Sequence, residues 1–265
     1  MINIIITEFQ KLKRYSVLWV GIVAVLISTL LSVYQQTADI NHGILYYEDY
    51  TNSVIWNNYS IAFPFMIVLI GGYMINREYT DHTLKNILTL PISFRRLMAG
   101  KLISMGIVTA LYGTFSFLCT FVFGRIFCNG NMSPGLIAKS FFQIVIIGIC
   151  CYLAVLPIII FFSRKRNGFL AGVALAFVYG FCGIFIAGRN LTDYYPITAG
   201  LGLIGFTGGG GAGDLTFNTL HEICVLALMV IISAIMLLCI KNFDETVSTQ
   251  INKKDRRKKY PFKRA

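Results

Sequence analysis

Residues 141–162 read FFQIVIIGICCYLAVLPIIIFF, a run without a single charge. As a helix rising about 1.5 Å per residue it is long enough to cross the ~30 Å hydrocarbon core of a bilayer. Working outward from it, five further long apolar runs lie at 16–34, 59–75, 102–127, 169–187 and 223–240, of which 59–75 is the shortest. The whole chain of 265 residues is 56% hydrophobic and 13% charged, with mean hydropathy +0.68. Soluble domains average about 25% charged residues, so this composition excludes them, along with disordered tails and disulfide-stapled secreted scaffolds. The expected fold is all-α: a polytopic membrane protein with six transmembrane helices in one domain, 1–241, followed by a basic tail, 242–265.

Orientation follows from the basic residues, because short loops rich in lysine and arginine stay in the cytoplasm. Lys11, Lys13 and Arg14 precede the first span. Arg77, Lys85, Arg95, Arg96 and Lys101 lie between the second and third, and Arg164, Lys165 and Arg166 between the fourth and fifth. The tail adds the KKDRRKK run. Of the 23 basic residues only Arg125, Lys139 and Arg189 fall on the other side. The net charge of +11 therefore reads as a positive-inside signature and not as a nucleic-acid footprint. Both termini are expected in the cytoplasm.

The first fifteen residues carry Ile2, Ile5, Ile6, Phe9 and Leu12 at helical spacing, with Glu8, Lys11 and Lys13 at other positions. That pattern predicts an amphipathic helix lying on the inner leaflet. On the outer side the connection 35–58 holds Tyr46, Tyr47, Tyr50 and Trp56, which suit an interfacial aromatic belt. The outer stretch 188–221 contains GLGLIGFTGGGGAGD at 200–214, read as a flexible or re-entrant loop. It lacks the lysine and hydroxyl residue of a phosphate-binding loop. Sequons begin at Asn58, Asn131 and Asn190 on the outer side. Six of the seven cysteines lie inside apolar runs and no CxxC occurs, so they read as core residues with no metal or redox role.

The central turns of the six runs hold no Asp, Glu, Lys, Arg or His; Arg125, Lys139 and Glu222 sit at outer ends. Ion-coupled carriers need such a group at mid-depth, and intramembrane proteases need a catalytic pair that is missing here. An apolar path suits an amphipathic cargo. The outer segments add Asp39, Glu48, Asp49, Asp193, Asp214 and Glu222, a mildly acidic surface that attracts cationic peptides. Along the fifth run Gly168, Gly172, Ala176 and Gly180 recur at fourfold spacing, a face for close helix packing against another span of this chain or a second subunit.

The longest loop between spans reads REYTDHTLKNILTLPISFRRLMAGK, 77–101. Thr80 or Asp81 can cap a short helix whose apolar face is Leu84, Ile87 and Leu88, and Pro91 ends it. Ser93 can cap a second helix carrying Arg95, Arg96 and Lys101 into the third span. The first of these is an apolar knob with basic flanks, which a peripheral cytoplasmic protein can grip.

Here the chain resembles the permease subunit of a type-2 ABC exporter. The resemblance rests on Glu8, Lys11 and Lys13 of the helix before span one, on the six spans, and on the loop's Arg77-Glu78, Thr83-Leu84-Lys85, Leu88, Pro91-Ile92-Ser93, Arg95-Arg96 and Gly100-Lys101. Within that group its size is most similar to lantibiotic and bacitracin self-protection permeases. The resemblance implies an amphipathic connecting helix at 1–15 and a cytoplasmic coupling helix formed by Glu78, Thr80, Asp81, Thr83, Leu84, Lys85, Ile87, Leu88 and Pro91. It also implies a separate cytoplasmic ABC ATPase subunit that binds ATP and Mg, and a second permease, identical or sister. The chain itself has no P-loop and is expected to be no enzyme. The rival readings are a nucleotide-independent membrane protein, such as an assembly factor, sensor or channel subunit, and a membrane enzyme acting on lipid through Asp81 and His82.

Overall fold

The computed structural model describes residues 2–13, 15–38, 45–80, 94–128, 132–162, 168–187, 191–208 and 217–239. Among the described residues the chain is all-α, without strands, and six helical segments are long and apolar enough to cross a membrane. In chain order the helices are α1 (Ile2–Leu12), α2 (Val17–Ala38), α3 (Tyr47–Asn57), α4 (Phe63–Thr80), α5 (Phe94–Phe127), α6 (Pro134–Phe162), α7 (Phe169–Ile186), the single turn α8 (Ala199–Leu203) and α9 (Thr219–Leu238). A π-helical turn, Asn58–Ala62, joins α3 to α4 without a break. In hydrocarbon a backbone must satisfy its own N–H and C=O groups, which explains why apolar runs of this length become continuous helices.

The core is built by α4 and α6, with α2, α3, α5 and α7 around them. Phe63, Met66, Ile67 and Ile70 of α4 meet Ile144, Ile147, Val155 and Ile159 of α6 in one buried cluster. The opposite faces of the outer helices expose Ile27, Leu111, Leu118, Leu170, Phe185, Leu228 and Ile235. A soluble monomer does not display so continuous an apolar girdle; lipid is its solvent. At 34 residues α5 is roughly 51 Å long, well beyond the membrane core, so one of its ends stands clear of the hydrocarbon.

Several sequence expectations are corrected. The helical segment that carries the second span begins at Tyr47 and runs on to Glu78, twelve residues ahead of the apolar run at 59–75. Its first half is too polar to read as a span, yet Thr51, Asn52, Asn57 and Asn58 are all buried, and Asn57 and Asn58 have side-chain partners inside the bundle. Asn58 accepts from Ser28 Oγ (2.7 Å) and donates to Ser116 Oγ (2.9 Å), while Asn57 donates to Ser32 Oγ and Gln35 Oε1, both at 2.8 Å. Tyr47 and Tyr50 are core residues, so only Tyr46 of the expected belt is well exposed. Asn58 is likewise inaccessible as a sequon, and Asn131 and Asn190 lie outside the described residues. Cys224 and Cys239 are exposed on α9 and at its end, and are not core residues.

The glycine-rich stretch is less loop-like than its composition. Its described part forms α8, which is buried between α6 and α9, and Gln143 Nε2 donates to the Ile204 carbonyl at 2.9 Å. Phe206 turns back to stack on Trp56, ring centroids 6.2 Å apart. Residues 209–216 lie outside the described residues.

Candidate functional site

One end of the bundle gathers α1, the end of α4 and the start of α5. The helix α1 packs along α5, and Gly100 permits the approach: a Cβ there would stand 2.6 Å from Ile4 Cγ2. One residue on, Lys101 enters the bundle. Its Nζ donates to Glu8 Oε2 at 2.6 Å and lies 2.8 Å from Glu78 Oε1. Lys11 Nζ, one turn beyond Glu8 on α1, donates to Glu8 Oε1 at 2.9 Å and to Glu78 Oε1 at 3.3 Å. The four groups form a closed ring of alternating charge, Glu8, Lys101, Glu78, Lys11 and back to Glu8.

Burial makes this arrangement unusual. The Glu8 and Lys101 side chains are 1% and 2% exposed and that of Glu78 is 7%, whereas Lys11 at 39% reaches the surface. Taking ions out of water is unfavourable by several kcal/mol each unless geometry and hydrogen bonds compensate. Here each carboxylate meets two ammonium groups and the formal charges cancel. Burial by itself would raise the Glu8 carboxyl, but the charge and hydrogen bond of Lys101, with those of Lys11, hold it below its ordinary value. Burial likewise opposes the charge on Lys11, and the hydrogen bonds and charges of Glu8 and Glu78 raise its pKa.

Beside the ring Arg77 stacks over Tyr15, its guanidinium 4.5 Å from the ring centroid. Tyr15 meets Tyr73 edge-on at 5.7 Å, and Tyr73 meets Phe169 at 6.4 Å, so the contact chain runs on to the start of α7. Arg95 donates to the Leu238 carbonyl at 2.7 Å and fixes the far end of α9 at the same place.

Sequence reasoning put Glu8 on the polar side of a helix lying on lipid. The structure instead buries Glu8 on the same side as Leu12 and leaves Ile6 exposed, because Lys101 supplies the buried counter-charge. Of the residues expected in the coupling segment, Glu78 is in the ring. Thr80 ends α4, and nothing of its side chain is described. Asp81, Thr83, Leu84, Lys85, Ile87, Leu88 and Pro91 lie outside the described residues. What the ring does define is the root of that segment: Glu78 lies before it and is held by Lys11, and Lys101 lies after it and is held by Glu8.

The small-residue face of α7 begins where that contact chain ends, at Phe169, and runs away along the helix. Gly168 is the residue before the helix; Gly172 faces Phe162, Ala176 is fully buried, and Gly180 lies directly on the π-helical turn. A Cβ on Gly180 would collide with the Ser60 carbonyl oxygen.

The family described as ABC-2 family transporter protein matches residues 4–183, from α1 through most of α7. The chain belongs to this family. The matched region of the ABC-2 protein contains the whole charge ring, the segment it brackets and the packing face of α7. A curated relative, the bacitracin transport permease protein BCRB of Bacillus licheniformis, is 28% identical over 131 residues, or 49% of this chain. The chain spans 62% of the length of that relative.

Sequence reasoning missed two features of the ABC-2 protein. It did not pair Lys101 with Glu8, although Glu8 and Lys11 at i, i+3 with a glutamate and a lysine flanking one loop was the available signal. It also left Glu222 at an outer helix end, whereas that carboxylate is fully buried against Gly202. Among the described residues no group of three His, Cys, Asp or Glu side chains could hold a metal ion.

Proposed function

We propose that this ABC-2 protein is the membrane-spanning permease subunit of an ATP-driven exporter, lying in a bacterial plasma membrane with both termini in the cytoplasm. The observation that carries the reading is the ring, which ties both ends of the segment 81–93 to one helix. A cytoplasmic ATPase subunit, which would bind ATP and Mg, grips that segment through Leu84, Ile87 and Leu88. Because the roots of the segment are cross-linked by buried charge, a push on it moves α4, α5 and α1 together and does not dissipate in a loose loop. Such a push biases the bundle between two packings. A second permease, identical or sister, completes the pathway.

The cargo in this reading is an amphipathic peptide-like antimicrobial, of the lantibiotic or bacitracin kind, removed outward from the bilayer. Support comes from the similarity to a bacitracin transport permease and from spans without central charge. The acidic outer surface contributes less than its sequence promised, since Glu222 is buried and Glu48 pairs with Lys139 at 3.1 Å.

The test is co-expression with a cytoplasmic ATPase subunit in a sensitive bacterium. Wild-type protein should raise the inhibitory concentration of bacitracin or a lantibiotic but not of a hydrophilic antibiotic. Leu84→Asp and Leu88→Asp should abolish protection and ATPase stimulation while membrane insertion persists. Unchanged stimulation in both variants overturns the coupling role, and unchanged sensitivity to all peptides, with the complex formed, overturns the cargo.

A further inference from the structure

A groove of about 380 Å³ opens sideways between α1, α2 and α5. Its walls are apolar, among them Phe9, Ile22, Val108, Leu111 and Phe115, and Lys13 is its one charged member. The polar atom of the neighbouring tyrosine is already used: Tyr112 donates to the Leu18 carbonyl at 2.8 Å. Its floor is closed where α2 and α5 touch, since a Cβ on Gly21 would stand 2.6 Å from the Tyr112 ring. From Val108 to Phe115 the groove follows α5 for about 10 Å.

We propose that this groove binds an anionic phospholipid, one acyl chain lying along α5 and the phosphate against Lys13. Both α2 and α5 cross the membrane, so hydrocarbon bathes the mouth. In hydrocarbon, burial of an apolar chain confers no selectivity of its own, and recognition falls to the charge at the groove's edge. Lys13 is exposed there at the end of α1, and among the described residues no carboxylate lies within ion-pair distance of it. The nearby acids are already engaged: Glu8 and Glu78 are held by Lys11 and Lys101. That leaves a cation at the mouth of an uncharged slot, complementary to a phosphodiester with a tail. Arg14 follows Lys13 in the sequence.

Native mass spectrometry of the full chain, released from bilayers of equimolar phosphatidylglycerol and phosphatidylcholine, tests this. The wild type should retain phosphatidylglycerol about fivefold over phosphatidylcholine, the factor that one basic group near a headgroup sustains. Lys13→Ala should bring the ratio close to one with total bound lipid unchanged. Leu111→Trp, at an exposed wall position, should lower retention of both lipids. A preference that survives Lys13→Ala overturns the site. So does loss of the phosphatidylglycerol adduct to excess inorganic phosphate, which would make the ligand a free anion. Efficient disulfide formation between two Leu111→Cys chains in the bilayer also overturns it, since the groove would then be covered by a second copy.

Discussion

Lys101 Nζ stands 2.6 Å from Glu8 Oε2, a contact between side chains 93 positions apart in which both groups are almost completely buried. Removing one member of a buried pair strands the other, typically at about 3–5 kcal/mol. Lys101→Met and Glu8→Gln should therefore lower the thermal unfolding temperature of the purified protein sharply, while Lys11→Met at the exposed corner should cost no more than about 1 kcal/mol. The double variant should be less destabilised than the two single effects added together. Additivity would deny that the two groups interact.

The ring also sets a pH window. Glu8 is held below its ordinary 4.5, so its contribution is complete above that value and is lost as pH falls through the lowered one. Lys11 is held above its ordinary 10.5, so its contribution is complete below that value and is lost as pH rises through the raised one. Unfolding temperature measured in detergent should be flat between these limits as far as this pair is concerned, and fall outside them. Glu8→Gln should blunt the acid-side fall.

Gly180 has no room for a side chain because the Ser60 carbonyl occupies the space. Gly180→Val should reduce the yield of folded protein and destabilise what remains by more than the roughly 1–3 kcal/mol of ordinary overpacking, since backbone cannot yield as a side chain can. Gly135→Ala, where nothing lies within 4 Å of the added carbon, should be neutral by the same assay.

Topology is checked by reporter fusions. Those after His42, Met132 and Asp214 should report the outside, and those after Lys85, Arg166 and Lys258 the inside. An outside signal after Lys258 would refute the positive-inside reading.

How much of this was readable depended on the kind of signal. Runs such as 141–162 declare themselves, because length without charge has few other solutions. The first half of the second span did not, since Asn57 and Asn58 look like loop residues until Ser28, Ser32, Gln35 and Ser116 are placed around them. The α7 face was legible to Gly180 and then drifted: the next buried glycine is Gly183, three positions on, because an α-helix turns every 3.6 residues and not every four. The ring was missed for a different reason. A glutamate in an amphipathic pattern is read as solvent-facing, and only a distant lysine reverses that.

The alternation of sign around the ring has a consequence for descent. Its three buried members depend on one another, so losing any single one strands a charge in the interior, and a lineage that abandons the arrangement must replace several positions nearly at once. Glu8, Glu78 and Lys101 should therefore be inherited as a set, all present or all exchanged for apolar residues, while position 11 varies freely. Divergent sequences with this architecture should sort into two such classes with few intermediates between them.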